Sequence, residues 1–402
     1  MASSPGGDGL GRAKGRGMPT GGTITTRAGE QNVYAQTVEH FLAPVIQHLR
    51  DPAVAEILIN GPDEIYVERA GRLERVEGHF EDEAALLAAI NNILQFAGKR
   101  MEAEHPLVDA RLPDGSRVHI ALPPCSRKGP CLTIRKFSAA LFDMHELVRI
   151  GSLTEEAGEF LQICVQIEKN MLISGGTSSG KTTLLNALSE AIPENQRVLV
   201  IEETSELQLQ QQHALSLETR PPDRYGRGEV TVHDLLKASL QMRPDRLVIG
   251  EVRGGEALDM LAAMTSGQGG SMSTMHATTA EDALNRLETM AMMSGVNLPL
   301  AAIRAQVASA VDLVVQTQRF NDGRRGVTQI SEVLPLATDG TYGVQHLFDY
   351  EVIEEAATGR SHGRLYMTGK RPTFYAEPFV RGLGAMVKTT RQMFAPETGH
   401  AK

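Results

Sequence analysis

The sequence predicts an α/β fold: a parallel sheet covered by helices, preceded by a smaller α+β domain. Three observations carry the prediction. From Asn170 onward, short β-branched runs ("NMLIS", "RVLVIEE", "RLVIGE", "SMSTMH") are each followed by a helical stretch, the signature of parallel strands joined by crossover helices. Before residue 140, strand-like runs are instead punctuated by tight-turn signals such as "NGPD" and "PDG". The length of 402 residues accommodates two domains.

Taken in order, residues 1–32 are glycine-rich, slightly basic and without aromatics, and read as a disordered tail. An N-terminal α+β domain is expected over 33–140. It opens on a helix carrying Val38, Phe41, Leu42, Val45, Ile46 and Leu49 at helical spacing. Two short strands then flank "NGPD", and "AGR" makes a second turn. "EDEAALLAAINNILQFAGKR" is an amphipathic helix with acids in its first turn and bases in its last, as the helix dipole favours. A hairpin around Pro113-Asp114-Gly115 and the strand "CLTIRKF" complete it. The parallel-sheet α/β domain is expected over 141–350, ending in two strands joined at Asn321-Asp322-Gly323. Residues 351–402 read as a C-terminal extension, partly helical or disordered.

Bulk properties narrow the function classes. The net charge of −9 counts against nonspecific nucleic-acid binding, so nucleic acid is not expected as a partner. No apolar run approaches the roughly 18 residues that span a bilayer, and the N-terminus lacks a signal-peptide core. The three cysteines, Cys125, Cys131 and Cys164, show no zinc spacing and read as reduced packing residues. A cytoplasmic protein is expected, reaching any membrane through partners.

The most specific signal is "GGTSSGKT". Gly175, four residues, then Gly180, Lys181 and Thr182 match the phosphate-binding loop, and the flanking strand and helix are in place. In this arrangement the amides of Gly175, Gly176, Thr177, Ser178, Ser179, Gly180 and the first helical turn through Thr183 cradle phosphates. Lys181 neutralises their charge, and the Thr182 hydroxyl binds Mg²⁺. ATP and Mg²⁺ are therefore the expected cofactors.

In such sheets ligands sit at the carboxyl ends of the strands. "RVLVIEE" delivers Glu202 and Glu203 there, "RLVIGE" delivers Glu251, and "SMSTMH" delivers His276. Glu251 stands at the acidic position of phosphate-loop ATPases, suited to holding Mg²⁺ through water or polarising the attacking water. Glu202 is the rival general base. His276 precedes a helix capped by Thr278 with Glu281 or by Thr279 with Asp282, a helix expected to bury Ala283, Leu284, Leu287, Met290 and Ala291. An imidazole at that turn reads as a sensor of the γ-phosphate or as a link from the site to the next element.

These residues resemble the secretion ATPases of the type II/type IV secretion superfamily, and most closely the CpaF/TadA-like branch of Tad/Flp pilus assembly. The resemblance rests on "VAEILINGPDEIYVERAGRLE", "VDARLPDGSRVHIALPP", "LTIRKF", "ISGGTSSGKTTLLNAL", "IEETSELQLQ", "ETRPPDRYGRGEVTVHDLLKASLQMRPDRLVIGEVRGGEALDML" and "GGSMSTMHATTAEDALNRLE". It implies a RecA-like ATPase domain and a homohexamer that works on inner-membrane platform proteins. It also implies that arginines of the N-terminal domain or of a neighbouring subunit reach nucleotide phosphates, a role that falls on Arg117 and Arg135, with Arg253 and Arg286 as subunit-interface candidates. The implied function is pilus assembly, retraction or protein secretion; DNA transfer by a conjugation ATPase of the same superfamily is the alternative. The chain departs from the pattern at Glu203, where Asp is common, and carries no tetracysteine module.

Overall fold

The computed structural model describes residues 37–394 apart from 70, 103, 138–141, 224, 268 and 356–360. The expected tail over 1–32 lies outside the described residues. The chain forms two compact units, the smaller ending at Phe137 and the larger following it.

The smaller unit is a six-stranded antiparallel sheet in the order β3-β2-β1-β6-β5-β4. Its strands are β1 (Val54–Asn60), β2 (Ile65–Arg69), β3 (Arg72–Arg75), β4 (Leu107–Arg111), β5 (Arg117–Ala121) and β6 (Cys131–Arg135). The helix expected before β1 is interrupted, with a 3₁₀ turn over Ala43–Val45 leading into the short α1 (Ile46–Arg50). Pro44 has no N–H to give the preceding turn, which breaks the run. Helix α2 (Glu83–Phe96) starts at Asp82, whose carboxylate accepts the Ala85 N–H. It buries Leu86, Ile90 and Ile93 in one core with Ile57, Ile59 and Ile134, each side chain contributing about 1.5–3 kcal/mol by leaving water.

The larger unit holds a nine-stranded sheet in the order β15-β14-β13-β12-β7-β11-β10-β8-β9. From β12 to β9 the strands are parallel: β7 (Met171–Gly175), β8 (Val198–Glu202), β9 (Ala214–Glu218), β10 (Arg246–Ile249), β11 (Met272–Met275) and β12 (Leu313–Arg319). Alternate residues of these strands enter opposite cores. Ile173, Val200, Val248 and Val315 pack on one face with Phe160 and Leu185, whereas Leu172, Ile201, Ile249 and Val314 pack on the other with Leu261 and Leu284. The period of two thus places both faces of the sheet under helices. Helices α3 (Met144–Arg149), α4 (Glu155–Gln166) and α5 (Lys181–Ser189) contribute to the first core. Helices α6 (Val232–Ser239), α7 (Ala257–Thr265), α8 (Ala280–Met292) and α9 (Leu300–Ala310) contribute to the second.

Past β12 the sheet turns antiparallel through β13 (Arg325–Leu334), β14 (Gly343–Glu355) and β15 (Ser361–Met367). Strand β14 runs through residue 350, so the sheet continues into the stretch read from sequence as an irregular extension. The short helices α10 (Glu377–Val380) and α11 (Arg391–Phe394) follow. Phe374, Met393 and Phe394 enter the first core, where the Phe394 ring stacks on Phe160 at 5.5 Å. The Glu159 carboxylate on α4 accepts the backbone N–H groups of Lys388, Thr389 and Thr390. Among the described residues, no helix is long and apolar enough to cross a membrane.

Candidate active site

The phosphate loop leaves β7 at its carboxyl end and closes into α5. Two backbone positions shape it. Ser178 and Gly180 take positive φ values of 55° and 97°, and Gly180 is the N-cap of α5, a conformation glycine adopts without strain. A side chain at Gly175 would collide with Thr317 and with the Ser179 hydroxyl. Thr317 on β12 also pairs with Ser179 Oγ at 2.8 Å and donates to the Ser174 carbonyl at 3.1 Å. The loop is therefore braced from β12 at both of its ends. Gly176 and Thr177 are exposed at its crest, and Ser178, Thr182 and Thr183 are half-buried. Lys181 is buried, with Nζ donating to the carbonyls of Gly175 at 3.1 Å and Gly176 at 2.9 Å.

Three further strand ends meet this loop's edge of the sheet. Glu202, the last residue of β8, is 4% exposed. Its Oε1 accepts the amides of Glu206 at 2.8 Å and Leu207 at 3.0 Å, while Oε2 is buried without a hydrogen bond. Burial outweighs those two amides and pushes the carboxyl up to about 7. Gly250 explains how the side chain fits: a Cβ there would stand 2.9 Å from Glu202 Cγ. The missing side chain of the glycine that precedes Glu251 is the space Glu202 occupies.

Glu251 lies shallower. Its Oε2 accepts from Arg253 at 2.5 Å, and its Oε1 is 3.0 Å from His276 Nε2. That second approach is at ion-pairing distance but lacks hydrogen-bond alignment. The other ring nitrogen, Nδ1, stands 3.4 Å from Lys181 Nζ. Burial, followed by the charge of Lys181, holds the imidazole below its usual pKa against the pull of Glu251. A neutral ring suits both neighbours, with its Nδ1 lone pair toward the ammonium and Nε2–H toward the carboxylate. Arg253 continues the network to Glu203 at 2.8 Å, so it is engaged by two carboxylates of its own chain. Arg286 forms a loose pair with Asp282 at 4.0 Å on the surface of α8.

The helix after His276 is capped by Thr279, whose hydroxyl accepts the Asp282 N–H. The Asp282 carboxylate in turn accepts from the Thr278 N–H and hydroxyl, so the second of the two expected caps is the one formed. Ala283, Leu284, Leu287 and Ala291 are buried and Met290 partly so; Glu288 is also buried, held by Arg304 at 2.8 Å and Tyr342 at 3.0 Å.

Beside the loop, a cavity of about 260 Å³ borders Ser179, Gly180 and Thr183. Phe142, Leu147 and Leu153 give it an apolar wall, and Arg324 and Arg325 a charged one. Such a lining suits a flat heteroaromatic ring. Strand periodicity gives no sign of it, because its walls come from segments far apart in sequence.

Within the smaller unit, Arg117 and Arg135 are directly paired across β5 and β6, and Arg111 is paired with Arg117 across β4 and β5. Cross-strand partners share a face, so three guanidinium groups form a row. Glu56, paired with Arg135 on its other side, reaches it at 3.6 Å. Sequence reasoning passed over Arg111, although the hairpin register around Pro113-Asp114-Gly115 places it opposite Arg117.

The family model described as "Type II/IV secretion system protein" matches residues 39–365. A putative conjugal transfer protein of Mycobacterium tuberculosis is 34% identical over 282 residues, covering 69% of this chain and 80% of that protein. The type IV secretion system protein PtlH of Bordetella pertussis is 36% identical over 292 residues, covering 66% of this chain and 86% of its own. In fold, the chain is similar to the Legionella pneumophila ATPase DotB, with a TM-score of 0.52 at 19% identity over 74% of this chain and 81% of that one.

Proposed function

Because the chain belongs to the type II/IV secretion system ATPase superfamily, we propose that it is the hexameric, cytoplasmic motor of a Tad/Flp-type machine. In this reading it hydrolyses ATP to ADP and phosphate and drives pilus assembly, retraction or protein secretion through inner-membrane platform proteins. The observation that carries the hydrolytic part is Glu202: a buried carboxylate with one unpaired oxygen, poised near neutrality at the sheet edge that carries the phosphate loop. The block "ETRPPDRYGRGEVTVHDLLKASLQMRPDRLVIGEVRGGEALDML" supports the CpaF/TadA-like branch.

Each residue has a distinct part. The amides from Gly175 to Thr183 and the α5 N-terminus hold phosphate oxygens. The Lys181 ammonium exchanges the carbonyls of Gly175 and Gly176 for phosphate. The Thr182 hydroxyl, in the first turn of α5, and the half-buried Glu251 carboxylate are hard oxygen donors that suit Mg²⁺, with Glu251 partly through water. When bound, the ion neutralises charge on the phosphates. Glu202 takes the proton of the attacking water, its ionised fraction rising through pH 7. His276, between Lys181 and Glu251, registers whether the ammonium has moved. The row Arg111-Arg117-Arg135 offers bidentate donors to nucleotide phosphate. The cavity beside Gly180 takes the base.

DNA transfer is the second reading, favoured by relatives named for conjugal transfer and opposed by the net charge of −9. The purified oligomer should be assayed for ATPase with cytoplasmic fragments of candidate platform proteins and, separately, with single-stranded DNA. Stimulation by a platform fragment alone is expected. Stimulation by DNA alone would replace the pilus reading with the conjugation one.

A further inference from the structure

Gln316 is a buried amide in a strand that is otherwise apolar up to that point: Leu313, Val314 and Val315 precede it, and it is only 8% exposed. A primary amide survives in such a place only with its hydrogen bonds made. Its two ends bond to different parts of the site. Oε1 accepts the hydroxyl of Ser174, the residue on which the phosphate loop begins. Nε2 donates at 3.1 Å to the carbonyl of Ala277, the residue after His276. Strand register explains the reach. β7 lies between β12 and β11, with Gln316 paired to Ser174 on one side and Met275 paired to Ser174 on the other. The amide thus crosses β7 at the strand end and clamps the His276 turn to the root of the loop.

We propose that Gln316 is a positioning residue for hydrolysis, fixing the His276 turn relative to Lys181. It touches no reacting atom. It fixes the peptide that aims the imidazole, so that Nδ1 meets Lys181 while Nε2 meets Glu251. Thr317, next in the chain, braces the loop itself; the two neighbours divide the work, one holding the loop and the other the sensor turn. The inference rests on the role of His276 in the reading above.

The test is a double-mutant cycle on the full-length oligomer, with Gln316→Leu, His276→Ala and the pair. Gln316→Leu should lower kcat about 10- to 100-fold, the cost of a misplaced group, while KM for ATP stays within about threefold. His276→Ala should show a similar loss, and the pair should lose no more than His276→Ala alone, because Gln316 acts through the histidine. Losses that multiply in the pair, a KM rise with kcat intact, or normal turnover in Gln316→Leu would each overturn the proposal. Normal turnover in His276→Ala, with a loss in Gln316→Leu, would overturn the sensor reading instead. Should Gln316→Leu fail to fold, Gln316→Glu carries the same cycle, since it keeps the size and the acceptor for Ser174.

Discussion

The two ends of the parallel sheet in the larger unit handle buried polar groups in opposite ways. At the amino end, Arg246 opens β10 with no exposure at all, yet its guanidinium donates to Gln196 at 2.7 Å, to the Val165 carbonyl at 2.9 Å and to the Gly269 carbonyl at 3.3 Å. Asn170, just before β7, bonds the carbonyls of Met264 and Ala310 and the amide of Ser271. At the carboxyl end, β8 and β10 lead to Glu202 and Glu251, each with a buried oxygen lacking a hydrogen bond. The completed end behaves as scaffold. The incomplete end keeps polar capacity in reserve, as a site that must bind and turn over charge requires.

Three substitutions sharpen this contrast. Glu202→Gln should lower kcat about 10²- to 10⁴-fold with ATP binding retained, the range for losing a general base. The wild-type rate should rise with pH through about 7 as that carboxyl ionises. The pKa of this carboxyl in the folded protein lies above the ordinary glutamate value of 4.5, so the folded state binds the extra proton. This carboxyl therefore makes the protein less stable as pH climbs from about 4.5 to 7, by about 3 kcal/mol in all. Glu202→Gln should flatten that part of the pH–stability curve, measured by denaturant titration; a curve unchanged by the mutation would place the carboxyl outside the titrating set. At the other end, Arg246→Met should cost about 3 kcal/mol of stability, because the carbonyls that surround the guanidinium lose their donors. The fraction that remains folded should hydrolyse ATP at the wild-type kcat. A selective loss of turnover would erase the division between the two ends. Smallest of the three, Glu251→Gln should lower turnover about 10- to 100-fold, as for groups that hold a metal partly through water. A loss larger than that of Glu202→Gln would transfer the general-base role to Glu251.

What could be read in advance followed from local pattern. β-Branched runs with helices between them identify β7, β8, β10 and β11, and the fixed glycines and Lys181 identify the loop. The turn at Asn321-Asp322-Gly323 joins β12 to β13, with Gly323 at φ 90°. Strand β9 escaped because "ALSLE" lies at the sheet edge, largely exposed, with no long apolar run. Strand β14 mixes His346, Asp349 and Glu351 among its apolar residues. The pKa of Glu202 and the space at Gly250 arise only when β8 and β10 lie side by side. Gln316 carried no sequence signal, since a glutamine inside a strand reads as solvent-facing until the neighbouring strands are assigned.

The packing of Phe374 and Phe394 against Phe160 sets the limits within which the gene can be edited. A stop codon placed near residue 370 would strip a wall from the core that also holds α4 and α5, and would leave Glu159 without the three amides it binds. Affinity tags and fluorescent fusions therefore belong after Phe394, and a catalytic-domain expression clone needs every residue up to it.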